Sequence, residues 1–504
     1  MRIKMTSTID PQIAESLSFP DTKSFVGINK PNRIEADIHN LQVDGRIPPQ
    51  VSGVLYRCGP DPAFPPLLGD DIYINGDGMV SMYVLSEGRA SMRSRYVRTD
   101  KFQAERAAGR ALFGAYRNPW TDSPSVAGMD RTTANTSMIW HANKLFAIKE
   151  DGLAHQLDPL TLQTIGKHNF GGRLLSKTMT AHPKIDPVTG EWVFFGYSAG
   201  GELSDDISVA VADSKGRLTD EQWFIPPYQS AIHDWAVTQQ HNILPVMPLT
   251  TDRNRVMEGG PRWAWDPGKT THLGVVARNR PIDEMVYFEG PSLFSFHTMN
   301  SWTEGNLVHI DLCVSDRAPF PDLNGKMFTP DEVAFKLTRW TCDLDRPGSD
   351  FVQRPLLDGL TVDMPEIDQR FATQKYRHGF MAARDPLYPV NPEIAVGVWF
   401  NTLVHIDHLT GESERWYIGD DSNVQEPVFI PRSDEAPEGD GFLVALVNRL
   451  PRAHTELVII DTAHFSDGPV ATVHIPMNVR PTFHGLWVSS EELGRVPTLG
   501  EPVF

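Results

Sequence analysis

Basic side chains, cysteine and long apolar runs are what this sequence is short of. Its 46 Lys and Arg are outnumbered by 64 Asp and Glu among 504 residues, a net charge of −18. That excess repels a polyanion, argues against a nucleic-acid partner and favours solubility. The three cysteines, Cys58, Cys313 and Cys342, are odd in number and far apart. They suggest neither a disulfide framework nor a CxxC metal site, and they fit a reducing cytoplasm. The opening stretch MRIKMTSTIDPQIAESLSFPD has early basic residues but no apolar segment after them, and no later run approaches membrane-spanning length. A non-secreted protein without stable membrane insertion is expected, and the sequence is silent on its oligomeric state.

What is present is a succession of short apolar segments separated by turn signals. In Met179 to Ser198, MTAHPKIDPVTGEWVFFGYS, two apolar runs flank Asp186-Pro187-Val188-Thr189-Gly190, which suits a tight reversal, so a β-hairpin with His182 on its first strand is expected. From Ile34, IEADIHNLQVDGRIPPQVSGVLYRCGP alternates apolar and polar residues as half-buried strands do. Asn75-Gly76-Asp77-Gly78 marks another reversal before the strand-like MVSMYVL. Aspartate-containing turns recur at LDPLTLQT, IDPVTGEW, ADSKGRL, LDRPGSD and IDHLTGES.

The exception is Asp100 to Tyr116, DKFQAERAAGRALFGAY, where alanine, glutamate and arginine favour a helix that Asp100 can cap. Irregularly spaced hairpins without a strict period point to sheets arranged radially, a β-propeller, more than to a solenoid. Length alone allows roughly two or three domains, but closed all-β architectures often run long as one unit. The expectation is therefore a single all-β domain over 1–504, with residues 1–30 as a surface arm and an inserted helix and loop at about 100–130 as part of a cap.

Seventeen histidines are present, and His182, His233, His272, His297, His309, His405, His474 and His484 occupy strand-like settings. Pattern alone does not choose among them, because a hydrogen-bonded structural role is the commoner one for any single histidine and no HExxH or HxH pair supplies a local metal site.

A choice comes from resemblance. The segments GVLYRCGPDPAF, YINGDGM, RYVRTDKF, FAIKED, AHPKIDP, IHDWAVT, FSFHTMN, QEPVFIPR and PTFHGLWV, in that order from about Arg33 to Trp487, together resemble the carotenoid cleavage oxygenase family. Within it, LFGAYRNPWTD, ANTSMIW, FAIKED and PEGDGFLVALV look closest to the branch of lignostilbene dioxygenases and isoeugenol-cleaving relatives. The resemblance implies a seven-bladed propeller and Fe(II) bound by four histidines, at the matching positions His182, His233, His297 and His484. Closing such long loops is unfavourable before the strands pair, so a centre of this kind needs the fold already made.

Ligating histidines usually donate their second ring N–H to a carboxylate or carbonyl. For that role the resemblance points to Glu150, Glu426 and Asp363. The family usually has glutamate at the last position; aspartate is one methylene shorter, so the contact runs through water or requires a small backbone shift. In the lignostilbene branch the residues matching Tyr116 and Lys149 hold the 4-hydroxyl of the substrate's phenol ring. Alternation along a strand would send Lys149 and Glu150 to opposite faces, a conflict that a strand end would remove. At Ile74, hydroxystilbene-cleaving members often have phenylalanine; an aliphatic residue there looks more like the isoeugenol-cleaving relatives.

The function implied is an Fe(II)-dependent oxygenase using O2 to cleave the alkene double bond beside the ring of a 4-hydroxyphenyl alkene, phenylpropenoid or hydroxystilbene, to an aromatic aldehyde and a second carbonyl product. Two alternatives stand beside it. An apocarotenoid-cleaving enzyme often carries an apolar membrane-docking patch, which a helix bearing Lys101, Glu105, Arg106 and Arg110 does not offer. A non-catalytic propeller acting as an interaction scaffold would have no need of the four histidines together.

Overall fold

The computed structural model describes residues 18–389, 399–450, 453–495 and 499, so most of the expected surface arm lies outside the described residues. Among the described residues there are seven antiparallel sheets of four or more strands, arranged as a seven-bladed β-propeller, and one two-stranded ribbon. Five sheets are simple meanders whose strands pair in sequence order. They begin at Ser137–His141, Lys184–Ile185, Ala236–Val237, Phe294–Glu304 and Thr361–Ile367.

The other two sheets join the two halves of the sequence. Gly485–Ser489, late in the sequence, pairs with Gly53–Pro60 in the first sheet. Gln42–Gly45, early in the sequence, adds to the edge of Pro469–Ile475 in the last. Backbone hydrogen bonds between distant parts of the molecule thus stitch both seams.

Burial falls outward across a sheet, which explains the uneven patterning of the sequence. Gly53–Pro60 and Trp192–Tyr197 are buried at every position because a neighbouring sheet covers each face, whereas the outermost Val352–Pro355 is exposed throughout. Packing over the sheet faces is largely aromatic and aliphatic: Trp192 lies 5.2 Å from Phe146 of the neighbouring sheet and 5.4 Å from Phe194 of its own strand, centroid to centroid. Burying such a ring contributes about 1.5–3 kcal/mol.

The five aspartate turns all connect neighbouring antiparallel strands. In four of them an aspartate of the turn accepts from a backbone N–H two residues on: Asp158 from Leu160, Asp186 from Val188, Asp213 from Lys215 and Asp407 from Leu409; in LDRPGSD the acceptor is Asp343, just before the segment, and Asp345 is the donor. Aspartate is favoured because its short acceptor replaces a backbone partner within the turn itself.

Three local expectations need correction. The helix runs only over Asp100–Ala108, because Gly109 adopts the left-handed conformation (φ 70°) and ends it; Leu112 and Phe113 instead donate backbone N–H groups to Glu105. Its N-cap is Thr99, not Asp100: the Thr99 hydroxyl accepts from Phe102 N. A second, short helix occupies Arg253–Met257. All three cysteines are buried as free thiols, and no described helix is long and apolar enough to cross a membrane.

Candidate metal centre

Four of the seven sheets present a histidine in, or just before, an edge strand. His182 precedes Lys184–Ile185, His233 precedes Ala236–Val237, His484 directly precedes Gly485–Ser489, and His297 lies within Phe294–Glu304. Contrary to the strand placement expected for them, three therefore sit in extended segments leading into a strand. The His484 backbone is still held there, its carbonyl accepting from Cys58 N at 2.9 Å and its N–H donating to the Thr136 carbonyl at 3.2 Å. His297 differs: the strand's pairing register shifts between Ser295 and Thr298, a bulge that re-aims the residues inside it. The indole N–H of Trp235 donates to the His182 carbonyl at 3.0 Å and fixes one approach segment against the next.

The four imidazoles converge. One donor atom from each lies within 4.8 Å of all the others, and Nε2 of His182 is 3.0 Å from Nε2 of His233. The remaining three large sheets supply the carboxylates behind them. His233 Nδ1 meets Glu150 Oε1 at 2.8 Å, His297 Nδ1 meets Asp363 Oδ1 at 2.6 Å, and His484 Nδ1 meets Glu426 Oε1 at 2.6 Å. A carboxylate on Nδ1 holds the proton there and leaves Nε2 with its lone pair.

The lone pairs that the carboxylates leave on His233, His297 and His484 crowd and repel one another. Nε2 of His297 is buried and without a hydrogen-bond partner, a costly state for a polar atom in an interior. A bound cation satisfies all four at once, so the donor set fits a transition metal that accepts imidazole. Burial, reinforced by the other imidazoles, pushes the His182 pKa well below its ordinary value, which keeps the ring neutral and able to ligate. His484 is likewise lowered, chiefly by burial, against the pull of Glu426. Burial also opposes protonation of His297, but the Asp363 carboxylate outweighs it and raises that pKa.

Asp363 reaches His297 directly despite its shorter side chain. Immediately after it the strand is bulged: register shifts between Asp363 and Glu366, and Met364 takes a positive φ of 53°. The contact is direct, at 2.6 Å, with the bulge immediately after it.

Sequence reasoning missed one residue of this network. Arg57 donates to Glu426 Oε2 at 2.8 Å and to the Phe483 carbonyl at 3.0 Å, and is 1% exposed. The signal was available: it is the lone charged residue in the wholly buried strand GVLYRCGP. Burial would raise the Glu426 pKa, yet His484 and Arg57 hold it below the ordinary value. For Glu150 burial is opposed in the same way by the His233 hydrogen bond and charge, and the carboxyl is held at about 2.

The residues expected beside the centre also gather. The strand ends at Ile148, so Lys149 and Glu150 lie beyond it and the alternation conflict does not arise. Lys149 Nζ donates to Thr133 Oγ1 at 2.7 Å and to the Ile74 carbonyl at 3.2 Å, and lies 5.3 Å from the Tyr116 ring centroid. Two of its three N–H donors are thereby used; Asp151 Oδ2, at 3.6 Å, supplies a counter-charge. Burial lowers the Lys149 pKa and, with the charge of Glu150, raises the Tyr116 phenol well above its usual value. Ile74 belongs to the short helical turn Tyr73–Asn75, whose carbonyl at Ile74 also accepts from Asn135 Nδ2 at 3.0 Å. Phe296, also unanticipated, packs edge-on to His233 at 5.3 Å and forms an apolar wall with Phe320 and Phe335.

Residues 29–489 match the model of the retinal pigment epithelial membrane protein family, RPE65. The protein is 42% identical over 466 residues to isoeugenol monooxygenase of Pseudomonas nitroreducens, covering 92% of this sequence and 97% of that relative. It is 40% identical over 483 residues to lignostilbene-alpha,beta-dioxygenase isozyme III of Sphingomonas paucimobilis, covering 94% and 99% respectively. The crystal structure of Pseudomonas brassicacearum lignostilbene dioxygenase superposes with a TM-score of 0.91 at 40% identity, covering 94% of this protein and 100% of that one.

Proposed function

Because the protein belongs to the RPE65/carotenoid oxygenase family, we propose that it is an Fe(II)-dependent oxygenase that uses O2 to cleave the alkene double bond beside the ring of a 4-hydroxyphenyl alkene. One oxygen atom goes to each carbon of the broken double bond, giving an aromatic aldehyde and a second carbonyl compound. The substrate class is a phenylpropenoid of the isoeugenol type or a hydroxystilbene. The observation that carries this reading is the adjacency of Lys149 and Glu150: one approaches the Tyr116 ring, the other orients His233. Recognition of a phenol and support of the metal are thus coupled through one peptide bond.

His182, His233, His297 and His484 are the residues that would hold the ion, and Fe(II) there supplies binding and activation of dioxygen. Glu150, Asp363 and Glu426 hold three of these rings at fixed orientation. Their combined negative charge is equal in magnitude and opposite in sign to that of a divalent ion together with the Arg57 guanidinium, so a buried site of otherwise neutral ligands is balanced when loaded.

Lys149 and Tyr116 would grip the substrate hydroxyl. Ionising a phenol of pKa about 10 at pH 7 costs about 4 kcal/mol. A charge-assisted hydrogen bond contributes about 1.5–3 kcal/mol, so the remaining N–H of Lys149 with the Tyr116 hydroxyl offsets most of that cost. A phenol giving up its proton feeds electron density into the conjugated alkene and makes it easier to oxidise. The Phe296 wall excludes water beside His233 and His297 and presents an apolar face to the ring.

Separate incubations with isoeugenol, resveratrol and an apocarotenal, with the products resolved by chromatography, test this reading. Aldehyde formed from either phenolic alkene supports it; turnover of the polyene alone would overturn the substrate class.

A further inference from the structure

Away from the axis, the last sheet carries a second group of ligating side chains. His454 and Glu456 lie two apart on the strand His454–Asp461 and so share a face. His474, on Pro469–Ile475, stands directly opposite Glu456 in the antiparallel register. The three offer donors within 4.8 Å of one another: Glu456 Oε1 is 3.1 Å from His454 Nε2 and 3.7 Å from His474 Nδ1. A tetrahedral zinc ion, with bonds of about 2.0–2.2 Å, holds its donors about 3.3 Å apart, which these separations bracket.

The supporting contacts are those a metal site needs. His474 turns Nδ1 toward the group while its other nitrogen, Nε2, meets Asp44 Oδ2 at 2.8 Å, the carboxylate–histidine pairing that fixes a ligand's tautomer. Glu456 presents Oε1 to both imidazoles while Oε2 is held by Arg449 Nε at 2.6 Å. The His378, His405, Glu414 series lacks such convergence: the middle ring uses one nitrogen on each neighbour, which forms a line with no common point.

We propose that His454, Glu456 and His474 bind a divalent transition ion of the zinc type, with water completing its coordination, independently of the axial centre and of the alkene-cleaving reading. The site lies where the early strand Gln42–Gly45 joins the late strand Pro469–Ile475, and Asp44 comes from that early strand. An ion there would brace the seam that closes the propeller.

Iron-loaded full-length protein is equilibrated with micromolar ZnCl2, desalted and analysed for both metals by mass spectrometry. The expected result is one zinc per molecule beyond any in the untreated protein, iron content unchanged, and a raised melting temperature. His474→Ala and, separately, His454→Gln lose that zinc and the thermal gain while keeping iron and activity. An anomalous peak at the zinc edge between His454 and His474 gives the same answer without substitution. Absence of the extra zinc in the parent protein, its persistence in both variants, or a peak elsewhere would each overturn the proposal.

Discussion

Nδ1 of His297 and Oδ1 of Asp363 are 2.6 Å apart, although Asp363 is a methylene shorter than the glutamate its place in the family pattern favours. The contact is direct, and the strand is bulged immediately after Asp363. Asp363→Asn keeps the size and an acceptor but removes the charge. Its expected effect is a loss of iron affinity of about 10- to 100-fold, measured by competition with a chelator.

Lys149→Met should retain iron while kcat/KM on a 4-hydroxylated alkene falls about 10- to 150-fold, the equivalent of one charge-assisted hydrogen bond. A 4-methoxy analogue, which has no proton to lose, should show a much smaller ratio between parent and variant. Burial lowers the Lys149 pKa, so the preference for the free phenol should fade as pH rises through a value below 10.5. Equal kinetics for the two proteins on the phenol would remove Lys149 from the mechanism.

At position 74 the test is one of selectivity. Ile74→Phe introduces an aromatic partner beside Lys149 and Tyr116, the residues proposed to hold the phenol, and should raise the kcat/KM ratio of resveratrol to isoeugenol severalfold. An unchanged ratio in steady-state assays of both substrates would place the distinction elsewhere.

Replacing Arg57 by Met leaves Glu426 with a buried charge that only His484 and a backbone N–H offset. Breaking a buried pair from one side costs about 3–5 kcal/mol, so a large fall in the urea midpoint is expected. The double variant with Glu426→Gln should lose less than the sum of the two single changes.

His408 provides a pH test remote from the site. Its ring packs edge-on to Tyr376 at 4.8 Å, Nε2 is buried without a partner, and burial pulls its pKa down to about 4. A base whose folded pKa is depressed contributes stability that is present above its unfolded value, about 6.5, and is lost as pH falls toward the folded one. Between pH 7 and 4.5 the parent protein should lose about 2 kcal/mol more than His408→Gln, read from urea midpoints across that range.

The turns and strands were legible because their causes are local. An aspartate two residues before the N–H it accepts needs no distant partner, and an unbroken apolar run such as FLVALV in Gly441–Arg449 announces a segment covered on both faces. The helix end was not, because alanine and arginine propensity continues past Gly109, while Glu105 turns back to take the amides of Leu112 and Phe113. From pattern alone the histidines were legible as candidates only, and it was the family resemblance that singled out His182, His233, His297 and His484. His474 and His484 both sit in strand-like surroundings, and spacing does not separate a ring on the outer seam from one at the axis.

By itself the sequence determined an all-β protein of hairpins, its acidic surface charge and its supply of imidazoles and carboxylates. Only the tertiary structure decided which of them meet. His233 finds Glu150, His297 finds Asp363 and His484 finds Glu426 across 83, 66 and 58 positions. Those meetings are set by the register of strands in different sheets, by bulges at His297 and after Asp363, and by closure of the ring, none of which any short stretch of sequence encodes. The physical reason is that local propensity acts over a few residues, whereas a centre on a propeller axis exists only once every sheet has been placed around it.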